Sequence, residues 1–284
     1  MKYIVLMLLV TTCLYAQTNT ITDEQVVQKV GHGQVNWTNK VIVVTGSAAP
    51  NLKGGITAAQ VRLQTERAAE LDAYRKILEI VKGVRVDSSW TIGDLMQSVP
   101  EVKTSVEGVI RGMKRIDTKY YSDGGVDVIV QVNLEGMMAS TTAKEIVKKQ
   151  EEKKGAVESV SNQQPKDSKD AKSDKSENQG ITGYIINVKG HPYQPVMYPK
   201  IIDEKNNELF GVDKVDPSIV NEGKIVSYYL TENAAKNSDR VKDKPVVINA
   251  VSIRNKSEIV IKNEDAKKLD RDLLRNGRIA IIVD

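Results

Sequence analysis

The side chains that most often do chemistry are scarce in this sequence. Of 284 residues, two are histidine, His32 and His191, and one is cysteine, Cys13. Each histidine stands alone beside glycine or proline, where a loop imidazole is ordinarily solvated rather than catalytic or metal-bound. A single cysteine cannot close an intrachain disulfide, and so few thiol and imidazole ligands make a structural zinc site improbable. Carboxylates are plentiful: Asp203, Glu204, Glu208, Asp213 and Asp216 put five acids within fourteen residues. They could gather a cation, but the Asp-x-Asp-x-Asp-Gly register of a calcium loop is missing, so a solvated acidic loop is the expectation. Gly54-Gly55-Ile56-Thr57 stands before a helix, whose N-terminus could seat an anion. It lacks the spacing and the lysine of a phosphate loop and reads as a simple loop-to-helix connection. No catalytic residue, cofactor-binding residue or metal ligand is therefore assigned. Pro192, Pro195 and Pro199, interleaved with Tyr193, Met197 and Tyr198, form an extended loop that is either contact surface for a partner or cover for the core.

The first residues carry an address. Met1-Lys2-Tyr3 is a minimal positive region, Ile4 to Val10 is an apolar run, and a polar stretch begins at Gln17. This is the pattern of a secretory signal peptide over residues 1–16, too short for a spanning helix of about 20 apolar residues. Two processing routes fit it. Cleavage between Ala16 and Gln17 suits the small residue at Ala16, although Leu14 is larger than preferred. Lipidation of Cys13 needs a small residue before the cysteine, and Thr12 fits that poorly. Membrane attachment is thus expected only through such a lipid or through partners. The net charge of +4 argues for neither nucleic acid nor membrane.

The elements that would position any site read as two α+β domains, each a mainly antiparallel sheet packed by one or two helices. Residues 17–36 are polar and expected to be a flexible lead-in. Residues 37–144 form the first domain. Val41 to Thr45 is a β-branched run closed by Gly46, a strand. Residues 58–82 are a helix, with an apolar stripe through Val61, Ala68, Leu71, Leu78 and Val81 and a left-handed stop at Gly83. Val84 and Val86 alternate with Arg85 and Asp87, which predicts a short strand. Ile92 to Val99 is a short helix or turn stopped by Pro100, and Val106 to Gly136 is a hairpin turning at Ser122-Asp123-Gly124-Gly125.

Residues 145–180 interleave Lys with Asp and Glu among Ser and Asn, and are almost free of apolar side chains after Val160. Such a segment cannot offset its ordering entropy, so a disordered polar linker is expected, its first third able to extend a helix. Patterning returns over 181–284, the second domain. Tyr184, Ile186 and Val188 alternate, Lys200–Asp203 and Glu208–Phe210 flank a turn at 205–207, and Val246–Ile253 precedes Ser257–Ile261. Asn263 is placed to cap one helix over Glu264 to Leu274, stopped at Asn276-Gly277, and Ile279 to Val283 is a buried strand.

Several of these segments resemble a known family. Gly33-Gln34-Val35-Asn36-Trp37, Val43-Val44-Thr45-Gly46, Glu66-Arg67-Ala68-Ala69, Asp72-Ala73-Tyr74-Arg75 and Val81 to Asp87 are similar to the FlgP-like outer-membrane lipoproteins. That family includes the N-terminal domain of the flagellar assembly protein FlgT. Gly108 to Gly112 and the Asp123-Gly124 turn are its usual continuation. Thr182-Gly183, Pro199-Lys200-Ile201, Asp203-Glu204, Arg240-Val241, Asn263 to Ala266 and Val283-Asp284 resemble the extra domain of its two-domain members. The resemblance implies a non-enzymatic envelope protein whose flagellar relatives build or support rings or disks around the motor.

The expected function is accordingly protein–protein contact in a periplasmic or outer-membrane-associated assembly, with envelope proteins and further copies of the chain as partners and no cofactor. The alternative is a periplasmic module that holds peptidoglycan or a small ligand in the loop around His191 to Tyr198. An enzyme ranks third.

Overall fold

A computed structural model describes residues 25–52, 55, 57–158 and 180–284. The signal segment, Cys13, Ala16 and Gln17, and the linker beyond Glu158 lie outside the described residues. The first domain runs β1 (Val27–Val30), β2 (Gly33–Asn36), β3 (Val41–Ala48), α1 (Ala58–Gly83), α2 (Ile92–Ser98), α3 (Pro100–Arg111), β4 (Lys114–Tyr120), β5 (Val126–Asn133) and α4 (Met137–Glu158). Its strands form one antiparallel sheet in the order β1-β2-β3-β5-β4. The expected flexible lead-in is thus corrected from Val27 onward. Gln28 and Lys29 make β1 look polar, but its backbone pairs with β2, and Val35 and Trp37 are buried.

α1 begins at a reciprocal cap: Gln60 N–H donates to Thr57 Oγ1, and Thr57 N–H donates to Gln60 Oε1. Its buried face is Thr65, Ala69, Ala73, Ile77, Ile80 and Val81, spaced by fours and threes. The expected stripe through Leu71 is corrected, because Leu71 is 71% exposed. The reason is the partner surface. A Cβ on Gly46 of β3 would lie 2.1 Å from Ala69 O and 2.3 Å from Ala73 N, so helix and strand backbones touch. Only the alanine side of α1 can come that close. Glu66 and Glu70, a like-charge pair along the helix, both face Arg115 of β4, and Lys76 pairs with Asp72 at 2.6 Å.

Three further expectations change. Gly83 is the last helical residue and does not take a left-handed conformation; Val84, extended, closes the helix. Residues 84–87 join no sheet of their own domain, although Val84 and Val86 are buried. Val106 to Arg111 belongs to α3, begun by Pro100 at its first turn, and the hairpin starts only at Lys114. The linker's first third is helical, as α4 continues to Glu158.

The second domain runs β6 (Gly183–Asn187), β7 (Lys200–Asp203), β8 (Glu208–Phe210), a 3-10 turn (Val212–Lys214), α5 (Pro217–Glu222), β9 (Ser227–Tyr229) and α6 (Glu232–Lys236). β10 (Pro245–Arg254), β11 (Glu258–Ile261), α7 (Asn263–Ala266), α8 (Arg271–Arg275) and β12 (Ile279–Ile282) complete it. Its sheet has seven strands in the order β8-β7-β11-β10-β6-β12-β9. The two α+β domains hold, but this sheet is mixed rather than mainly antiparallel. β6–β10, β6–β12, β9–β12 and β7–β11 are parallel; β7–β8 and β10–β11 are antiparallel. The cause is burial on both faces. Tyr184 and Ile186 point into the main core, while Ile185, Ala280 and Ile282 pack on Ala235 and Val241 behind it. The single helix expected from Asn263 is two short ones. Asn263 is not a cap but the first residue of α7, which starts without a side-chain cap, and only α8 is capped, Asp270 accepting from Asp272 and Leu273 N–H.

Candidate functional site

One contiguous core crosses from the first domain into the second, and the Pro192–Pro199 loop lies where it crosses. Residues 84–87, which join no sheet of their own domain, find backbone partners here. Met197 N–H donates to Arg85 O at 3.1 Å, and Tyr198 N–H to Val86 O at 2.8 Å. The loop's aromatics point inward. Tyr198 is buried under α4; its hydroxyl donates to Ala139 O at 2.5 Å and meets Thr142 Oγ1 at 2.7 Å. Tyr193 and Tyr228 join hydroxyls at 3.0 Å. Tyr228 also donates to Val196 O at 2.8 Å and accepts from Val196 N–H at 3.2 Å. Trp37 of the first domain meets the Tyr228 ring edge-on at 5.9 Å.

Polar bonds continue this seam on both sides. Thr38 Oγ1 donates to Tyr228 O at 2.9 Å, Ser88 Oγ to Glu258 Oε1 at 2.7 Å, and Lys40 Nζ to Gly223 O. Burial raises the phenols of Tyr193, Tyr198 and Tyr228 above their ordinary value, because a phenolate there would lose its water. They are neutral hydrogen-bonding struts rather than acids or bases. Burial, then the neighbouring Arg240, lowers Lys40 to about 7.

A cleft of about 90 Å³ opens beside the seam, walled by Gln28, Trp37, Ile80, Arg85 and Pro195 among others. At ~30 Å³ per molecule it holds a few waters. The loop from His191 to Tyr198, expected either to face a partner or ligand or to cover the core, is largely spent on joining the domains. His191 itself begins that loop, partly buried, and His32 is exposed in the β1–β2 turn, so the two are not brought together.

The acids of 203–216 are likewise dispersed into separate structural tasks. Asp203 accepts from Lys205 N–H, Asn207 N–H and Asn207 Nδ2, which tie the β7–β8 turn and hold its carboxyl below the usual range. Glu204 accepts from Asn263 N–H, Glu208 pairs with Lys200 at 3.3 Å, and Asp216 caps α5. Among the described residues no three histidine, aspartate or glutamate side chains converge on a metal position. Thr57 of the glycine loop is spent on capping α1.

Sequence reasoning missed the members of the seam that lie far apart in the chain: Trp37 with Tyr228, and Lys40 with Gly223. No spacing rule links positions about 190 residues apart. The scarcity of large aromatics, one Phe and two Trp, was the only signal, and it could have marked Trp37 alone.

Residues 183–284 match the family model for the second domain of Tp0624 from Treponema pallidum. The matched span contains the whole seven-stranded sheet. The similarity to a domain of a bacterial protein, beside a separate first domain, supports a two-domain bacterial protein family. No curated protein matches the chain.

Proposed function

We propose that this chain is a non-enzymatic, exported envelope protein that works through protein–protein contacts in a periplasmic or outer-membrane-associated assembly. The observation that carries the proposal is the outer side of the first domain. Leu63 and Leu71 of α1 are 48% and 71% exposed, and Ile116 and Tyr120 on neighbouring β4 are 52% and 48% exposed. Large exposed apolar side chains on two adjacent elements, which Arg115–Glu70 joins, are the kind of surface that a partner covers. The FlgP-like resemblance of the first domain favours an envelope assembly, with a flagellar ring as the specific form. Signal processing at Ala16–Gln17, or lipidation at Cys13, belongs to the same proposal and is distinguished by the intact mass of the mature chain.

Photo-crosslinking in cells tests the contact surface. A photoreactive residue at Leu71 or Ile116 should trap a second copy or a defined envelope protein, whereas one at exposed His32 should not. Equal trapping at all three positions, or none at any, refutes the proposal.

A further inference from the structure

At the lower end of the domain seam, cations gather without acids to balance them. Arg240, in the segment between α6 and β10, is partly buried, and the oxygens it reaches are neutral. Its Nε donates to Ser227 Oγ at 3.1 Å and its Nη1 to Lys224 O at 2.5 Å and Gly277 O at 3.0 Å. Arg278 is similar: its Nη1 donates to the carbonyls of Asp239 and Arg240. Lys40, from the other domain, rests on the carbonyl of Gly223, the residue just before Lys224. Among the described residues none of Lys40, Arg240 and Arg278 forms an ion pair with a carboxylate.

The other charged groups facing them are few. Lys224 is paired with Glu222 at 3.1 Å. Glu135, at the end of the first domain's sheet, acts on both Lys40 and Arg240 from beyond ion-pair distance, and Tyr229 adds a phenol near Arg240. The one carboxylate that acts on Lys40 and Arg240 is thus the distant Glu135. Partly buried charges are normally paired, because withdrawing them from water is unfavourable unless an opposite charge offsets it. Burial, with the like charge of Arg278 adding to it, lowers Arg240 below its ordinary value, as an unpaired cation in that position must be. A guanidinium held on Nε and Nη1 by carbonyl and hydroxyl oxygens is fixed in orientation and keeps Nη2 for a further acceptor.

We infer that Arg240, with Arg278 and Lys40, forms an oxyanion-binding site across the domain seam, taking a single phosphate or carboxylate group. The missing negative charge is the ligand. Because Lys40 comes from one domain and both arginines from the other, the bound anion bridges the two and fastens the seam. The site shares no residue with the proposed contact surface on α1 and β4, so either can fail without the other.

Equilibrium dialysis of the full chain against labelled inorganic phosphate tests it. The expected result is one saturable site per chain, with affinity at least tenfold weaker in Arg240→Gln and in Lys40→Gln, and unchanged in Lys205→Gln at a distant turn. Phosphate a hundredfold above its dissociation constant should raise the wild-type melting temperature by roughly 5 °C or more, and the two site variants by much less. Competition by N-acetylglutamate assigns the site to carboxylates as well; its failure restricts the site to phosphate. Should Arg240→Gln not fold, Arg278→Gln and Lys40→Gln carry the test. Absence of saturable binding, or binding equally tight in these variants, overturns the inference.

Discussion

Replacing Tyr228 with phenylalanine probes the domain seam with the smallest possible change. The ring stays, so the edge contact with Trp37 and the packing volume are kept. What goes is one hydroxyl, fully buried, that serves three partners: Val196 O, Val196 N–H and the Tyr193 hydroxyl. A phenylalanine edge can neither accept nor donate. At the low end of ~1–3 kcal/mol for each buried polar group left unsatisfied, the loss is about 3 kcal/mol. For a chain of this size that corresponds to a fall of about 6–12 °C in melting temperature. Urea unfolding followed by tryptophan fluorescence is the assay, since Trp37 sits on the ring in question. Tyr121→Phe, which removes an exposed hydroxyl bonded to Asp127, is the control and should cost under about 0.5 kcal/mol. Tyr228→Phe losing no more than that control would refute the idea that these phenols fasten the domains. A new, separate transition for one domain would strengthen it.

Other expectations follow from the same structure. Gly46→Val should cost more than the ~1–3 kcal/mol typical of overpacking, because its Cβ meets the backbone of α1 rather than a side chain; thermal unfolding will show it. Lys40 binds its proton less tightly in the folded chain than in the unfolded one, at about 7 against an ordinary 10.5. Between those values the unfolded state holds more protons, so stability should rise with pH from about 7 towards 10, and the Lys40→Met variant should lose that slope in urea titrations. At the acid end the lowered carboxyls of Asp72, Asp94 and Asp127 act in the opposite range. Their contribution is present at neutral pH and should be lost as pH falls through the carboxylate range, seen as a falling urea midpoint.

How far the sequence carried depended on the range of the interaction that decided each element. Local signals were legible: the α1 boundaries, the Asp123-Gly124 turn, the hairpin strand Val126 to Asn133, and the buried run at the C-terminal end. These follow from periodicity and turn chemistry within a few residues. Signals that rest on a distant surface were not. The face of α1 was misread because Gly46, in another element, selects alanines over leucines. Gln28 and Lys29 hid β1, since an edge strand paired on one side needs few apolar residues. Alternation at Tyr184 and Ile186 pointed to a strand, and only the packing of Ala235 and Val241 against Ile185 revealed that its sheet is buried on both faces. The seam was least legible of all, because residues 85–86 pair with 197–198 across the domain boundary. The Pro192–Pro199 loop carried the right question, partner surface or core cover, and its aromatics turn out to cover a core shared by both domains.

The proposal as a whole stands on the exposed apolar side of α1 and β4. Sedimentation velocity of the mature chain over a wide concentration range, compared with a Leu71→Asp, Ile116→Asp double variant, tests it most directly. Both positions are exposed, so the variant should keep the wild-type melting temperature. The account predicts that the wild-type chain associates with rising concentration, alone or with the envelope partner trapped by crosslinking, and that the variant does not. A wild-type chain that stays monomeric throughout, with that partner or without it, would contradict the account.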